Sequence, residues 1–86
     1  MEIIFEPAAL EDLAFWKNSR NELVLKKIRA LLENIQQTPF AGIGKPEPLK
    51  HQLAGKWSRR ITGEHRLVYK VEAGKIVVYQ VRFHYQ

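Results

Sequence analysis

Apolar positions follow a helical spacing in the first half of the chain and a two-residue alternation in the second. At the start, Ile3 and Phe5 alternate with Ile4 and Pro7 stops the run, which predicts a short strand over residues 2–6. Pro7 also suits the first turn of a helix, where its missing N–H has no bond to lose. Ala9, Leu13 and Trp16 then recur at helical spacing, with Leu10 and Ala14 beside them, predicting a helix that ends near Asn18. Ser19-Arg20-Asn21-Glu22 has the form of a capping box, so a second helix is expected to open on Ser19. Val24, Ile28, Leu31, Leu32 and Ile35 form one apolar stripe, and Lys26, Lys27, Arg29 and Glu33 fall off it. Thr38-Pro39 ends this helix, because a residue before proline avoids the helical region.

Three strands follow, over residues 57–62, 66–71 and 75–83. Thr62-Gly63-Glu64-His65 and Glu72-Ala73-Gly74-Lys75 supply turns short enough to make these strands antiparallel neighbours. The expected architecture is α+β: two N-terminal helices packed on one face of a twisted, mainly antiparallel sheet. Residues 38–56 fit neither pattern. They hold three of the four prolines and three of the five glycines, and so long an irregular segment usually packs on itself or builds a site.

Alternation also sorts the strand faces. In the last strand Val77, Tyr79, Val81, Phe83 and Tyr85 form the more apolar set, taken as the core face, against Ile76, Val78, Gln80, Arg82 and His84. Leu67, Tyr69 and Val71 oppose Arg66, Val68 and Lys70, while Trp57, Arg59 and Ile61 oppose Ser58, Arg60 and Thr62. This places Arg60, Arg66, Arg82 and His84 together, away from the helices. Cations crowded on one face repel each other, and an anionic ligand would relieve them. The alternative is that each arginine reaches water independently.

Length and charge sharpen this picture. Eighty-six residues allow one domain, 1–86, with a modest core. The net charge of +5 is uneven: residues 1–43 carry five basic and six acidic residues, and residues 44–86 carry nine basic and three acidic. Such a field attracts phosphates. The absence of cysteine fits a reducing compartment, and Ile3-Ile4-Phe5 is too short for a signal peptide or membrane span. A soluble, intracellular domain with no membrane partner is expected.

The candidate chemistry narrows by elimination. His51, His65 and His84 have no metal-ligand spacing, so neither a metal nor another cofactor is expected. Gly42-Ile43-Gly44 lacks the context of a phosphate loop, and of the two serines Ser19 is better used as a cap. An acid–base set remains. Metal-free RNA cleavage needs a base for the 2′-hydroxyl, a cation for the phosphorane and an acid for the departing 5′-oxygen. Glu47 stands between Pro46 and Pro48, which restrict its backbone, with Lys45 and Lys50 nearby. Composition alone favours the plainer reading of a surface carboxylate paired with those lysines. His84 is equally readable as an ordinary histidine near the chain end.

The runs Lys45-Pro46-Glu47-Pro48-Leu49-Lys50-His51, Trp57-Ser58-Arg59-Arg60-Ile61-Thr62 and Glu64-His65-Arg66-Leu67-Val68-Tyr69, with a terminal His84-Tyr85, resemble the Txe/YoeB toxins of the RelE/ParE group. The resemblance spans nearly the whole chain. It implies a compact microbial-ribonuclease-type fold and a ribosome-dependent, metal-independent messenger-RNA endoribonuclease of the bacterial cytoplasm. It implies Glu47 as general base, His84 as general acid and Arg66 as transition-state clamp. Arg60 and Lys50 would bind phosphate, Tyr85 would position substrate or His84, and Arg82 joins this set as a phosphate-binding candidate from its face. The implied partners are a cognate antitoxin whose C-terminal segment covers the toxin, the ribosome with its messenger RNA, and a second copy in a homodimer. Gln86 departs from the pattern by extending the chain past the His-Tyr pair. Two other readings stay open on the same fold: a non-enzymatic gyrase inhibitor of the ParE kind, and a plain RNA-binding module.

Overall fold

The computed structural model describes residues 1–84. Strand β1 (Glu2–Phe5) leads into helix α1 (Pro7–Asn18), whose first position is the proline. Helix α2 (Glu22–Gln37) follows after a tight reversal in which Arg20 takes φ 54°. The second helix does not open on the expected capping box. Asn21 is its cap, and its side chain accepts the Val24 N–H at 3.2 Å. Ser19 instead closes α1, donating its hydroxyl to Phe15 O at 2.7 Å. The Arg20 reversal separates Ser19 from the second helix and leaves Asn21 as the nearest oxygen.

Strands β2 (Glu47–Pro48), β3 (Trp57–Arg60), β4 (Arg66–Glu72) and β5 (Lys75–Gln80) complete a sheet of order β1-β5-β4-β3-β2. All pairings are antiparallel except β1 with β5, which is parallel. The mixed α+β sheet, with both helices on one face, matches the expected layering. The β4–β5 turn uses Ala73 and Gly74 at φ 51° and 74°, the twist that two-residue hairpins favour.

The core lies between the helices and the sheet. Trp16, Val24, Ile28, Leu31 and Ile35 meet Leu67, Tyr69, Ile76 and Val78. The inward set of β5 is therefore Ile76 and Val78, not Val77 and Tyr79. Both faces of this strand are apolar, so hydrophobicity could not choose between them. A bulge then changes the phase: Tyr69 pairs with Val78 but Val68 pairs with Gln80, leaving Tyr79 as the extra residue. Past the bulge, Val81 turns inward and is fully buried.

The irregular segment is held by one buried cation. Arg59 is 0% exposed, and the bonds its guanidinium makes among the described residues go to carbonyls, an amide oxygen and a hydroxyl. Its guanidinium donates to Asn34 Oδ1 at 2.7 Å, Ile43 O at 2.8 Å, Thr38 O at 2.8 Å and Ala41 O at 3.0 Å. Its Nε reaches the Tyr69 hydroxyl at 3.2 Å, and that hydroxyl donates to Pro39 O. Burial raises the Tyr69 pKa, and the bond and charge of Arg59 oppose that shift. A partial negative charge on each carbonyl replaces water around the cation, so the loop wraps Arg59 as a ligand shell.

Candidate active site

Gly44 takes φ 80° and Lys45 φ 50°, so the chain bends sharply before the Pro46-Glu47-Pro48 run. The Arg60 N–H donates to Gly44 O at 2.7 Å and fixes this bend against β3. Pro48 lacks a donor, which an edge strand tolerates, and β2 sits at the sheet edge. Glu47 pairs with Ser58, whose side chain faces away from the helices. Arg60 pairs with Arg66 on that same open face.

Arg66 is 8% exposed, a deep burial for a cation. The β3–β4 turn explains its placement. Thr62 Oγ1 accepts the N–H groups of Glu64 and His65 at 3.1 and 3.0 Å, folding the turn back on itself. Three carbonyls, of Thr62, Gly63 and His65, then accept from Arg66 Nη1 at 3.0–3.2 Å. One edge of the guanidinium is thereby oriented by the backbone before any ligand arrives.

The tail after β5 brings the last member. Val81 is pinned on both sides: Trp16 Nε1 donates to its carbonyl at 2.8 Å, and its N–H donates to Asp12 Oδ2 at 3.0 Å. Burial raises the Asp12 pKa, and the Val81 N–H and the charge of Arg82 only partly oppose that rise. Beyond Val81 the chain reaches His84 on the open face.

These segments enclose a polar cleft of about 290 Å³, lined by Lys45, Pro46, Glu47, Pro48, Ser58, Arg60, Arg66 and His84. Four of the residues expected in a site, Glu47, Arg60, Arg66 and His84, thus meet although they come from four separate segments. Two arginines directly opposed across a strand pair repel each other, and a bound anion relieves that repulsion. The chemistry available is a carboxylate, a pre-oriented guanidinium with a second cation beside it, and an imidazole. Among the described residues, no cluster of three His, Asp or Glu could hold a metal.

Two expected members, Lys50 and Arg82, lie elsewhere. Lys50 lines an adjoining groove of about 860 Å³ formed by residues 47–53, sharing only Glu47 and Pro48 with the cleft. Arg82 is not on the cation face: its guanidinium stacks 3.4 Å from the Phe15 ring centroid and 4.3 Å from that of Phe83, beside α1. The β5 bulge and the departure of residues 81–84 from regular strand break the alternation that grouped it with Arg60. Tyr85, like Gln86, lies outside the described residues. Conversely, Ser58 and Lys45 line the cleft without having been singled out for it. The pairing of Ser58 with Glu47 could not be read from a sequence in which β2 is two residues long.

No helix among the described residues is long and apolar enough to cross a membrane. Residues 5–85 match the family described as the YoeB-like toxin of bacterial type II toxin–antitoxin systems. The toxin YoeB of Escherichia coli K12 is 46% identical over 85 residues, covering 99% of this chain and all of the relative. A solved structure described as a YoeB/ParE toxin from Agrobacterium tumefaciens superposes with a TM-score of 0.95 at 46% identity, over 99% of this chain and 100% of that one. Two Staphylococcus aureus structures, a YoeB dimer and a heterotetrameric YoeB–YefM toxin–antitoxin complex, superpose at 0.90 and 0.89. Both are 42% identical and cover 99% of this chain and 98% of theirs. Sequence and fold agree over essentially the full length, and the chain belongs to the YoeB-like toxins of bacterial type II toxin–antitoxin systems.

Proposed function

We propose that this toxin is a metal-independent endoribonuclease that cuts messenger RNA on the ribosome. The observation that carries the reading is the polar cleft, which gathers Glu47, Arg60, Arg66 and His84 from four segments. Glu47 takes the proton of the ribose 2′-hydroxyl. The 2′-oxygen then bonds to phosphorus as the P–O5′ bond breaks. His84 gives its proton to the departing 5′-oxygen, leaving a 2′,3′-cyclic phosphate and a 5′-hydroxyl. Arg66 holds the phosphorane charge, and its backbone-oriented guanidinium needs little rearrangement at that moment. Arg60 shares that charge, and Lys50 in the adjoining groove contacts a flanking phosphate. Tyr85 completes the proposed set.

A cleft of this size holds a nucleotide but not an ordered stretch of RNA, so the ribosome supplies the positioning. A cognate antitoxin is the proposed restraint, by analogy with the Staphylococcus aureus YoeB–YefM complex, and a homodimer by analogy with the dimer from the same organism. An acidic C-terminal antitoxin segment laid on the cleft would neutralise the opposed Arg60 and Arg66.

The test is messenger-RNA cleavage in a translation extract by the parent and by Glu47→Gln, Arg66→Ala and His84→Gln. Each substitution is expected to slow cutting by roughly 10²–10⁴-fold. Undiminished cutting by all three variants removes the role assignment. Gyrase-linked DNA breaks without RNA cleavage would identify the toxin as a gyrase inhibitor instead. RNA retention without cut ends would identify a binding module.

A further inference from the structure

The tail that carries His84 makes a backbone turn at Phe83, which takes φ 66°. An L-residue with a bulky side chain avoids this left-handed region unless its surroundings hold it there. Two consecutive residues of β4 and its preceding turn hold it. The Phe83 N–H donates to His65 Nδ1 at 2.8 Å, and the Phe83 carbonyl accepts the Arg66 N–H at 2.9 Å. Gln80 Nε2 adds bonds to the carbonyls of Arg82 at 2.8 Å and His84 at 3.0 Å. Upstream, Val81 is fixed by Trp16 and Asp12.

We propose that His65 is a positioning residue: its Nδ1 accepts the Phe83 N–H and locks the turn that delivers His84 to the cleft. The proposal rests on the acid–base reading of the cleft for its catalytic consequence, though not for the latch itself. The geometry fixes the tautomer. An amide N–H only donates, so Nδ1 carries no proton and Nε2 carries it, 3.5 Å from Glu64 Oε1. The ring is oriented by the edge of Trp16, with centroids 4.9 Å apart at 85°, and the His65 backbone N–H donates to Thr62 Oγ1 at 3.0 Å. Glu64 faces its Nε2, and Asp12 lies within electrostatic reach. The same short turn therefore aims both halves of the site. Its carbonyls orient Arg66, and its histidine orients the backbone ahead of His84. Sequence reading missed this because His65 has no ligand spacing and is 18 positions from Phe83.

Two substitutions separate the acceptor from the ring. In His65→Asn the Oδ1 atom lies as many bonds from Cα as Nδ1 does, so the acceptor is kept. His65→Phe keeps the aromatic contact with Trp16 and removes the acceptor. In single-turnover cleavage of ribosome-bound messenger RNA, His65→Phe is expected to slow the chemical step about 10- to 100-fold with little change in ribosome affinity. His65→Asn is expected to stay within about threefold of the parent by that same positioning argument. Equal losses in both variants, or none in His65→Phe, would overturn the proposal. Nitrogen NMR of the full-length parent tests the latch without any variant and without any activity. The result expected is an Nε2-protonated His65 with a slowly exchanging Phe83 amide bonded to Nδ1. An Nδ1-protonated His65, or a rapidly exchanging Phe83 amide, would overturn it. A parent that cuts no RNA would refute the acid–base reading, and the NMR result would still decide the latch.

Discussion

Replacing Arg59 with methionine keeps most of the aliphatic stem and removes all the guanidinium donors that hold residues 38–43. Five acceptors lose a partner: the carbonyls of Thr38, Ala41 and Ile43, the Asn34 Oδ1 and the Tyr69 hydroxyl. Asn34 Oδ1 keeps the Ile43 N–H, and the Tyr69 hydroxyl keeps its bond to Pro39. Ala41 and Ile43 are exposed, so their carbonyls can turn towards water if the loop loosens. Each acceptor that stays dry costs about 1–3 kcal/mol. Relief from burying an unpaired cation offsets part of that cost. Thr38 is exposed as well, and its carbonyl keeps a long bond from the Ala41 N–H at 3.4 Å, so the net loss is about 1–2 kcal/mol. For a domain of this size each kcal/mol moves Tm by about 4–8 °C, so a drop of about 4–16 °C is expected. Arg59→Lys, with three donors on one nitrogen, should fall between parent and Arg59→Met. The assay is a pair of thermal melts with hydrogen exchange of the loop amides. Exchange should rise over residues 38–46, and the Tyr69 pKa should climb further once the opposing effect of Arg59 is gone. A methionine variant that melts within about 3 °C of the parent, well under one kcal/mol, would refute the idea that the loop hangs from this guanidinium.

Other consequences follow from particular contacts. Burial raises the Asp12 pKa in the folded state, so the folded protein holds that proton more tightly than the unfolded chain does and stability falls as the group ionises. Asp12→Asn retains an oxygen for the Val81 N–H, so melts should show a gain at neutral pH that vanishes at about pH 3, where the parent carboxyl is also neutral. Gly44→Ala would set a methyl 2.7 Å from Leu31 Cδ2 and 3.2 Å from Arg59 Cβ at φ 80°. It should cost about 1–3 kcal/mol in denaturant titrations. Trp16→Phe leaves the buried Val81 carbonyl without its donor and should cost about 1–3 kcal/mol, with faster exchange in the tail.

Helix α2 was legible because its apolar stripe has one clear period and Thr38-Pro39 ends it, while α1 was legible from Pro7 and the Ala9, Leu13 and Trp16 spacing although Leu10 and Phe15 stay exposed. The hairpin of β4 and β5 was legible from the Ala73-Gly74 turn. The face of β5 was not, since Ile76 and Val78 are no more apolar than Val77 and Tyr79, and a single extra residue reverses the phase. The same bulge carried Arg82 off the face where alternation had placed it, to stack on Phe15. The cap of α2 was misread because Ser19 and Asn21 both offer an oxygen, and only the Arg20 reversal decides between them. Arg59 looks from the sequence like one more cation in a basic stretch, although its place beside Trp57 and Ile61 already set it inward. The members of the cleft could be brought together from motif and face. Their long-range supports, His65, Trp16 and Asp12, could not, because hydrogen bonds across 18 to 69 positions leave no periodic trace.

The central claim is that the cleft cuts RNA by side-chain acid–base chemistry, and the ends of the cleaved RNA test it most directly. Messenger RNA cut on the ribosome by purified toxin, with the RNA recovered and its termini mapped, should carry 2′,3′-cyclic phosphate or its 3′-phosphate hydrolysis product, opposite a 5′-hydroxyl. Glu47→Gln and His84→Gln should each suppress those ends. Termini of 3′-hydroxyl and 5′-phosphate, or unchanged cutting by both variants, would contradict the account.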